Sequence, residues 1–222
     1  MKKHKPIPGS VPFVDTFVNL NNWMVSDWPD SHGGIYAPDH VDVAAGMLRL
    51  KLSQTRNPDG TVSSVGGEVH TRQSFGYGVY TWLARMGSVA ATPTALGAAV
   101  SGGVSGLFNY IDGHLTEIDF EAEGQYPRLI DLTVWNPTRE QILVDFPESA
   151  QLFHEYKLVW TAGRAQFSLD GAVMWVKTNN VPSTPAPVFM DHWGTNSTGF
   201  GGLATPGVDR YLYVRLFSFQ PI

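Results

Sequence analysis

Three acids stand two residues apart in the run Leu115-Thr116-Glu117-Ile118-Asp119-Phe120-Glu121-Ala122, each separated from the next by an apolar residue. Read as a strand, the run puts Glu117, Asp119 and Glu121 on one face and Ile118 and Phe120 on the other. Like charges so close repel one another, so a strand that stacks them above a buried face must have a use for them. Two uses fit the residue types. A hard cation such as calcium takes carboxylate oxygens, usually from loops that wrap around it. Glycoside hydrolysis takes one carboxylate as nucleophile and one carboxylic acid as proton donor. A solvated face with no chemistry is the third reading of the triplet taken alone.

The hydrolytic reading sets a distance. Retaining hydrolysis needs the two carboxyls roughly 5 Å apart, whereas a rise of roughly 3.3 Å per residue separates the Cα atoms of Glu117 and Glu121 by about 13 Å. Their side chains must therefore lean together over a curved strand, with Asp119 between them. The charge of Asp119, and a hydrogen bond from it to Glu117, would hold the nucleophile in place and help keep Glu121 protonated. A bell-shaped rate profile on the acidic side of neutral is expected.

The elements that must position these acids are strands. Apolar residues recur with period two far more clearly than with period 3.6, and turn signals separate short runs throughout. Tyr156, Leu158 and Trp160 alternate with Lys157 and Val159, and Ala165, Phe167 and Leu169 alternate with Gln166, Ser168 and Asp170. Asp170-Gly171 then supplies the positive φ angles of a tight hairpin before Val173-Met174-Trp175-Val176. Near the end, Tyr211, Tyr213, Arg215 and Phe217 share one face of a closing strand, a polar-aromatic surface on which a sugar could lie. Clusters of Gly, Pro, Asn and Ser predict loops over 27–34, 57–67, 88–103, 178–187 and 194–207. Residues 1–12 read as an extended arm and 13–222 as one all-β domain, a size that single-domain sandwiches reach.

Composition narrows the partners. With 15 Lys and Arg against 20 Asp and Glu, the net charge of -5 offers no basic stripe to a nucleic acid. The uncharged stretch between Arg85 and Asp112 is broken by Pro93 and several glycines, so it reads as a loop followed by a buried strand rather than a membrane span. The absence of cysteine removes disulfides, thiolate zinc sites and a thiol nucleophile. No apolar secretory run follows the basic residues Lys2, Lys3 and Lys5, so export would depend on a signal already removed or on another route. Nothing suggests an obligate oligomer, and a monomer is expected.

Glu117-Ile118-Asp119-Phe120-Glu121 resembles the Glu-x-Asp-x-Glu signature of glycoside hydrolase family 16, in the unbulged form similar to lichenases and xyloglucan-active enzymes. Upstream, Gly66 to Tyr80 resembles that family's strand and glycine-aromatic turn. Downstream, Phe153 to Trp160, Phe167 to Gly171 and Pro182 to Pro185 resemble its hairpin and the loop after it, so the likeness runs in order over residues 15–219. The resemblance implies an all-β fold: a curved antiparallel β-sandwich, a concanavalin-like jelly roll, with a concave cleft for a β-linked polysaccharide. It implies retention of configuration, with Glu117 as nucleophile, Glu121 as general acid and base and Asp119 assisting. Mixed-linkage β-1,3-1,4-glucan or β-1,3-glucan is the favoured substrate. A transglycosylase acting on a β-glucan such as xyloglucan, and a non-catalytic lectin-like module, are the alternatives.

The same resemblance places Glu68, Tyr110, Trp135, Asn136 and Trp193 in the cleft, with Trp193 as the ring on which the apolar face of a glucosyl unit would stack. His32 and His70 stand where related lichenases carry an Asn and an Arg that hold the sugar. The stretch Ala91 to Gly103 reads as an insertion at the cleft edge, capping one end of the groove. No cofactor is required. One structural calcium, bound through Asp15 or Asp209, is an expectation of the family, as is secretion.

Overall fold

The period-two pattern is realised as strands. The computed structural model describes residues 11–111, 113 and 116–222, so most of the arm read over residues 1–12 lies outside the described residues. The strands are β1 (Phe13–Asp15), β2 (Trp23–Val25), β3 (Ile35–Tyr36), β4 (Val41–Val43), β5 (Leu48–Arg56), β6 (Val62–Phe75), β7 (Gly78–Ser88) and β8 (Gly103–Ile111). They continue as β9 (Thr116–Glu123), β10 (Leu129–Trp135), β11 (Arg139–Asp145), β12 (His154–Thr161), β13 (Arg164–Leu169), β14 (Ala172–Lys177), β15 (Ala186–Gly194) and β16 (Arg210–Pro221). No helix among the described residues is long and apolar enough to cross a membrane.

Hydrogen bonding follows one continuous path, β11-β10-β9-β8-β15-β6-β5-β16-β7-β12-β13-β14. The first six strands form the cleft layer and the last six the opposing layer. The hairpin β5–β6 passes from one to the other. Its tip pairs Ser53–Arg56 with Val62–Val65, whereas the remainder of β5 pairs with β16 and the remainder of β6 with β15. The loop predicted over 57–67 is therefore shorter than expected, because Val62 to Gly67 belong to β6. Gly66 and Gly67 break no strand here; they permit close approach. A Cβ on Gly66 would sit 2.3 Å from the His192 carbonyl oxygen, and one on Gly67 2.5 Å from that of His40.

The core fills the space between the layers. Phe120, on the back of the acid strand, meets Trp82, Tyr156 and Phe167 of the opposing layer edge-on, at centroid distances of 6.1, 5.7 and 5.2 Å. Truncating it to alanine would cost about 4 kcal/mol and release the strand that carries the acids. In the opposing layer, Asp170 and Gly171 have φ of 47° and 80°, as a two-residue type I′ turn requires, and close the hairpin read from the sequence.

Two expectations are corrected. The β16 ladder shifts register between Tyr211 and Tyr213 and again between Val214 and Leu216. After those bulges Phe217 and Phe219 enter the core, so Phe217 does not share a face with Arg215, which stays exposed. Tyr211, Tyr213 and Arg215 lie on the outer side of the layer opposite the cleft. The first part of the segment expected to cap the groove, through Ala95, also lies there, whereas Ser101 to Gly103 pack beside Gly124 and Gly201. Buried Arg85 donates to the carbonyls of Ala90, Thr92, Pro93 and Ala95 while stacking on Tyr213, whose hydroxyl donates to the Ala90 carbonyl oxygen at 3.1 Å. A buried guanidinium needs such acceptors, and the loop supplies them as backbone oxygens.

At the far ends of the path, β11 and β14 come together across the sandwich. Lys177 on β14, buried, pairs with Glu140 on β11 at 2.8 Å, and Asn180 Nδ2 donates to Thr138 Oγ1 at 2.9 Å.

Candidate active site

Ladders in register turn a two-residue period into rows across the sheet. Glu117 lies between Trp135 of β10 and Tyr110 of β8. Asp119 lies between Thr133 and Phe108, and the row runs on through Phe189 to His70. Glu121 lies between Asp131 and Gly106, and that row runs on through Asp191 to Glu68. A fourth row takes Glu123 through Val104 to Trp193. Together these rows line an open cleft of about 1170 Å³.

All three predicted acids face the cleft, and so do His32, Glu68, His70, Tyr110, Trp135 and Trp193. Asn136 does not line it. The residue follows the end of β10, and its Nδ2 donates to the Val181 carbonyl oxygen at 3.1 Å, tying the turn to a neighbouring loop. Trp193 is in the cleft wall but only 4% exposed, because His32 lies flat against it and Phe200 packs nearby. His70 stacks on Phe189 with centroids 4.9 Å apart and leans toward Trp28, a ring that is 44% exposed at the cleft rim. Burial holds the imidazoles of both His32 and His70 below the usual histidine range, so both are neutral hydrogen-bonding groups near pH 7.

The site contains more acid than the sequence reading assigned to it. Glu123 continues the period of Glu117, Asp119 and Glu121, Asp131 alternates with Ile130 and Leu132, and Asp191 precedes Trp193 by two. Each could have been found by carrying the same alternation onto the neighbouring strands. Arg139, on β11, is the cation in the lining and lies against the Trp135 ring at 5.9 Å.

So many carboxyls in one desolvated site cannot all be ionised. Burial and then the neighbouring Asp131 charge raise Glu121 to about 8, so it carries its proton at neutral pH. Burial, with the charges of Glu117 and Glu121 next, pushes Asp119 well above the carboxylate range. Burial raises Glu68 to about 7 despite the hydroxyl of Ser26, which donates to Glu68 Oε1 at 2.6 Å. Burial also raises Asp191, whose Oδ2 accepts from the Tyr36 hydroxyl at 2.9 Å. Asp191 reaches over Gly106 toward Glu121: a Cβ at Gly106 would sit 2.6 Å from Asp191 Oδ1.

The two residues read as calcium ligands do not fit that role. Asp15 accepts from the Phe17 amide at 2.7 Å and from Asn22 Nδ2 and Trp23 Nε1 at 3.0 Å each, which occupies both oxygens. Asp209 accepts from Ser53 Oγ at 2.7 Å and pairs with the Lys51 ammonium at 2.9 Å, so a fixed cation already stands beside it.

The family model described as Glycosyl hydrolases family 16 matches residues 29–205. The chain belongs to that family. This family 16 hydrolase is 28% identical over 202 residues to Endo-1,3-1,4-beta-glycanase ExoK of Rhizobium meliloti (strain 1021), across 83% of this chain and 69% of that protein. It is 27% identical over 198 residues to a Beta-glucanase of Acetivibrio thermocellus, of which it spans 54%. Among solved structures, Bacillus licheniformis beta-glucanase superposes with a TM-score of 0.82 at 20% identity, over 95% of this chain and 98% of that one. A Bacteroides ovatus family 16 protein, in complex with the product G4G4G3G, superposes with a TM-score of 0.74 at 15% identity, over 94% and 99%. The curved antiparallel sandwich is thus the fold of the family.

Proposed function

We propose that this family 16 hydrolase is an endo-acting β-glucanase that retains anomeric configuration, with mixed-linkage β-1,3-1,4-glucan or β-1,3-glucan as substrate. One observation carries the reading: Glu117 and Glu121 face an open cleft from the same strand, with buried Asp119 between them and Glu121 holding a proton at neutral pH. An open groove admits the interior of a polymer, and its relatives are named for β-glucan cleavage.

The Glu117 carboxylate attacks the anomeric carbon, and Glu121 gives its proton to the departing glycosidic oxygen. Glu121, now ionised, takes a proton from water, whose oxygen attacks the same carbon and releases Glu117. Asp119, buried between them and pushed well above the carboxylate range, keeps its proton and so puts no full charge beside the Glu117 nucleophile. His32, Glu68, His70, Tyr110 and Trp135 bind the sugar chain, with Trp193 backing the His32 ring from beneath. The enzyme acts outside the cell and as a monomer.

The test is product release from barley mixed-linkage glucan and laminarin by the parent and by Glu117→Gln. Loss of at least about a thousandfold in kcat is expected for a missing nucleophile. Equal rates in the two proteins would remove Glu117 from the reaction, and a parent that binds these glucans but releases nothing would make the chain a binding module.

A further inference from the structure

Two acids beside the triplet have no place in the reaction as written. Asp131 stands directly opposite Glu121 in the β9–β10 ladder, 1% exposed, and Glu123 is two residues along β9 on the same face, 6% exposed. The two carboxyls stand on diagonal positions of the β9–β10 ladder, both buried, and burial followed by the Glu123 charge raises Asp131 to about 7, so near neutrality one proton serves the two. Other donors hold each acid in place. Gln141 on β11 donates to Asp131 Oδ1, and Glu123 Oε2 accepts from Gln125 Nε2 at 2.6 Å and from the Gly201 amide. Such donors fix a buried charge in position rather than leaving it to swing into solvent.

We propose that Asp131 and Glu123 form a proton-sharing carboxyl pair that keeps the proton on Glu121, and that both are positioning residues for the acid step. The proposal rests on Glu121 being the proton donor. Its sign follows from the groups that face Glu121. On its own strand these are Glu117, Asp119 and Glu123; across the ladders they are Asp131 on β10, Arg139 on β11 and Asp191 on β15. Every one but Arg139 is an acid, and each negative charge disfavours ionisation of Glu121. Arg139 acts the other way, and its effect on Glu121 is smaller than that of Asp131. The pair carries one negative charge between its members, next to the donor and out of solvent. Because the lost proton would add a second charge beside it, Glu121 retains that proton above neutral pH.

The experiment is the pH dependence of kcat/KM on mixed-linkage glucan for the parent, Asp131→Asn, Glu123→Gln and the double variant. Asparagine preserves the acceptor for Gln141 and can donate to Glu123, so the ladder is retained. In Asp131→Asn the charge withdraws to Glu123, and the basic side of the profile is expected to fall by about one pH unit. In the double variant the charge is gone and the fall is larger than in Asp131→Asn, whereas Glu123→Gln leaves the charge on Asp131, opposite Glu121, and is expected to hold the basic side at or above the parent's. A purely structural role would lower the whole curve without moving its basic side, and a basic side fixed in all three variants overturns the proposal. Carboxyl-carbon NMR titration of Glu121 in the same proteins, assigned with Glu121→Gln, reads the same shift without substrate. If the parent cleaves no β-glucan, the substrate reading fails while that titration still decides whether the pair holds the proton.

Discussion

His32 lies flat on Trp193, with ring centroids 3.8 Å apart and planes 11° from parallel. The imidazole occupies the indole face that a glucosyl ring would otherwise cover, so a sugar meets His32 first and Trp193 only through it. In His32→Ala, acrylamide should quench the indole more strongly than in the parent. KM on mixed-linkage glucan should change by about threefold or more, with kcat within twofold, because the lost contact is to bound sugar rather than to the reacting centre. A change confined to kcat would place His32 in the chemistry instead.

The cleft is lined by eight acids, Asp30, Glu68, Glu117, Asp119, Glu121, Glu123, Asp131 and Asp191, with Arg139 as the opposing cation. Although several are protonated, the remaining field repels polyanions and is screened by salt. Carboxymethylated β-glucan should therefore be cleaved at least about tenfold more slowly than the neutral polymer at low ionic strength, and the gap should narrow in 0.5 M salt. A gap that ignores salt would point to steric exclusion.

The buried acids also tie stability to pH. Glu68 is raised to about 7 in the folded chain, above an ordinary value near 4.5, so between those values the folded state binds more protons than the unfolded one. Stability from this group is complete below about pH 4.5 and is lost as pH rises through about 7. The parent should therefore melt at lower temperature at pH 8 than at pH 5, and Glu68→Gln, which keeps an acceptor for Ser26, should show a smaller drop.

Much of this was legible in the residues. Period-two alternation gives the strands, and the register follows from which face must be buried, so Glu117, Asp119 and Glu121 fall together on one face, while the cleft that this face lines comes only with the resemblance of the flanking segments. What crosses between strands was not legible. Asp131 looks like a lone polar interruption of an apolar strand until Glu121 is placed opposite it. Trp193 reads as a free platform, since nothing local shows that His32, more than 160 positions earlier, lies on its ring. The segment after Ser88 reads as a cap for the groove because its anchor, Arg85, looks like an ordinary surface cation until its carbonyl partners are in view.

Lys177 and Glu140 should respond unequally to substitution. The ammonium is buried and its partner is half-exposed. Glu140→Gln leaves the buried cation without a counter-charge, with the Asn179 side-chain oxygen still accepting from it, and should cost about 2 kcal/mol, whereas Lys177→Met removes the buried charge and should cost less. Thermal melts of the two variants check the order. The reverse order would mean that the aliphatic stem of Lys177, not its charge, matters.

That same pair has a consequence for behaviour at high concentration. A sheet that runs as one path from β11 to β14 has two outermost strands whose free amides and carbonyls can template a strand from another molecule. Here the two are drawn against one another, with charged side chains along β11 and a lysine at the end of β14, so each stands in the way of a newcomer at the other. An aromatic-rich chain with a strongly apolar core is thereby kept from adding to its neighbours edge to edge, and the protection resides in the places where the sheet stops.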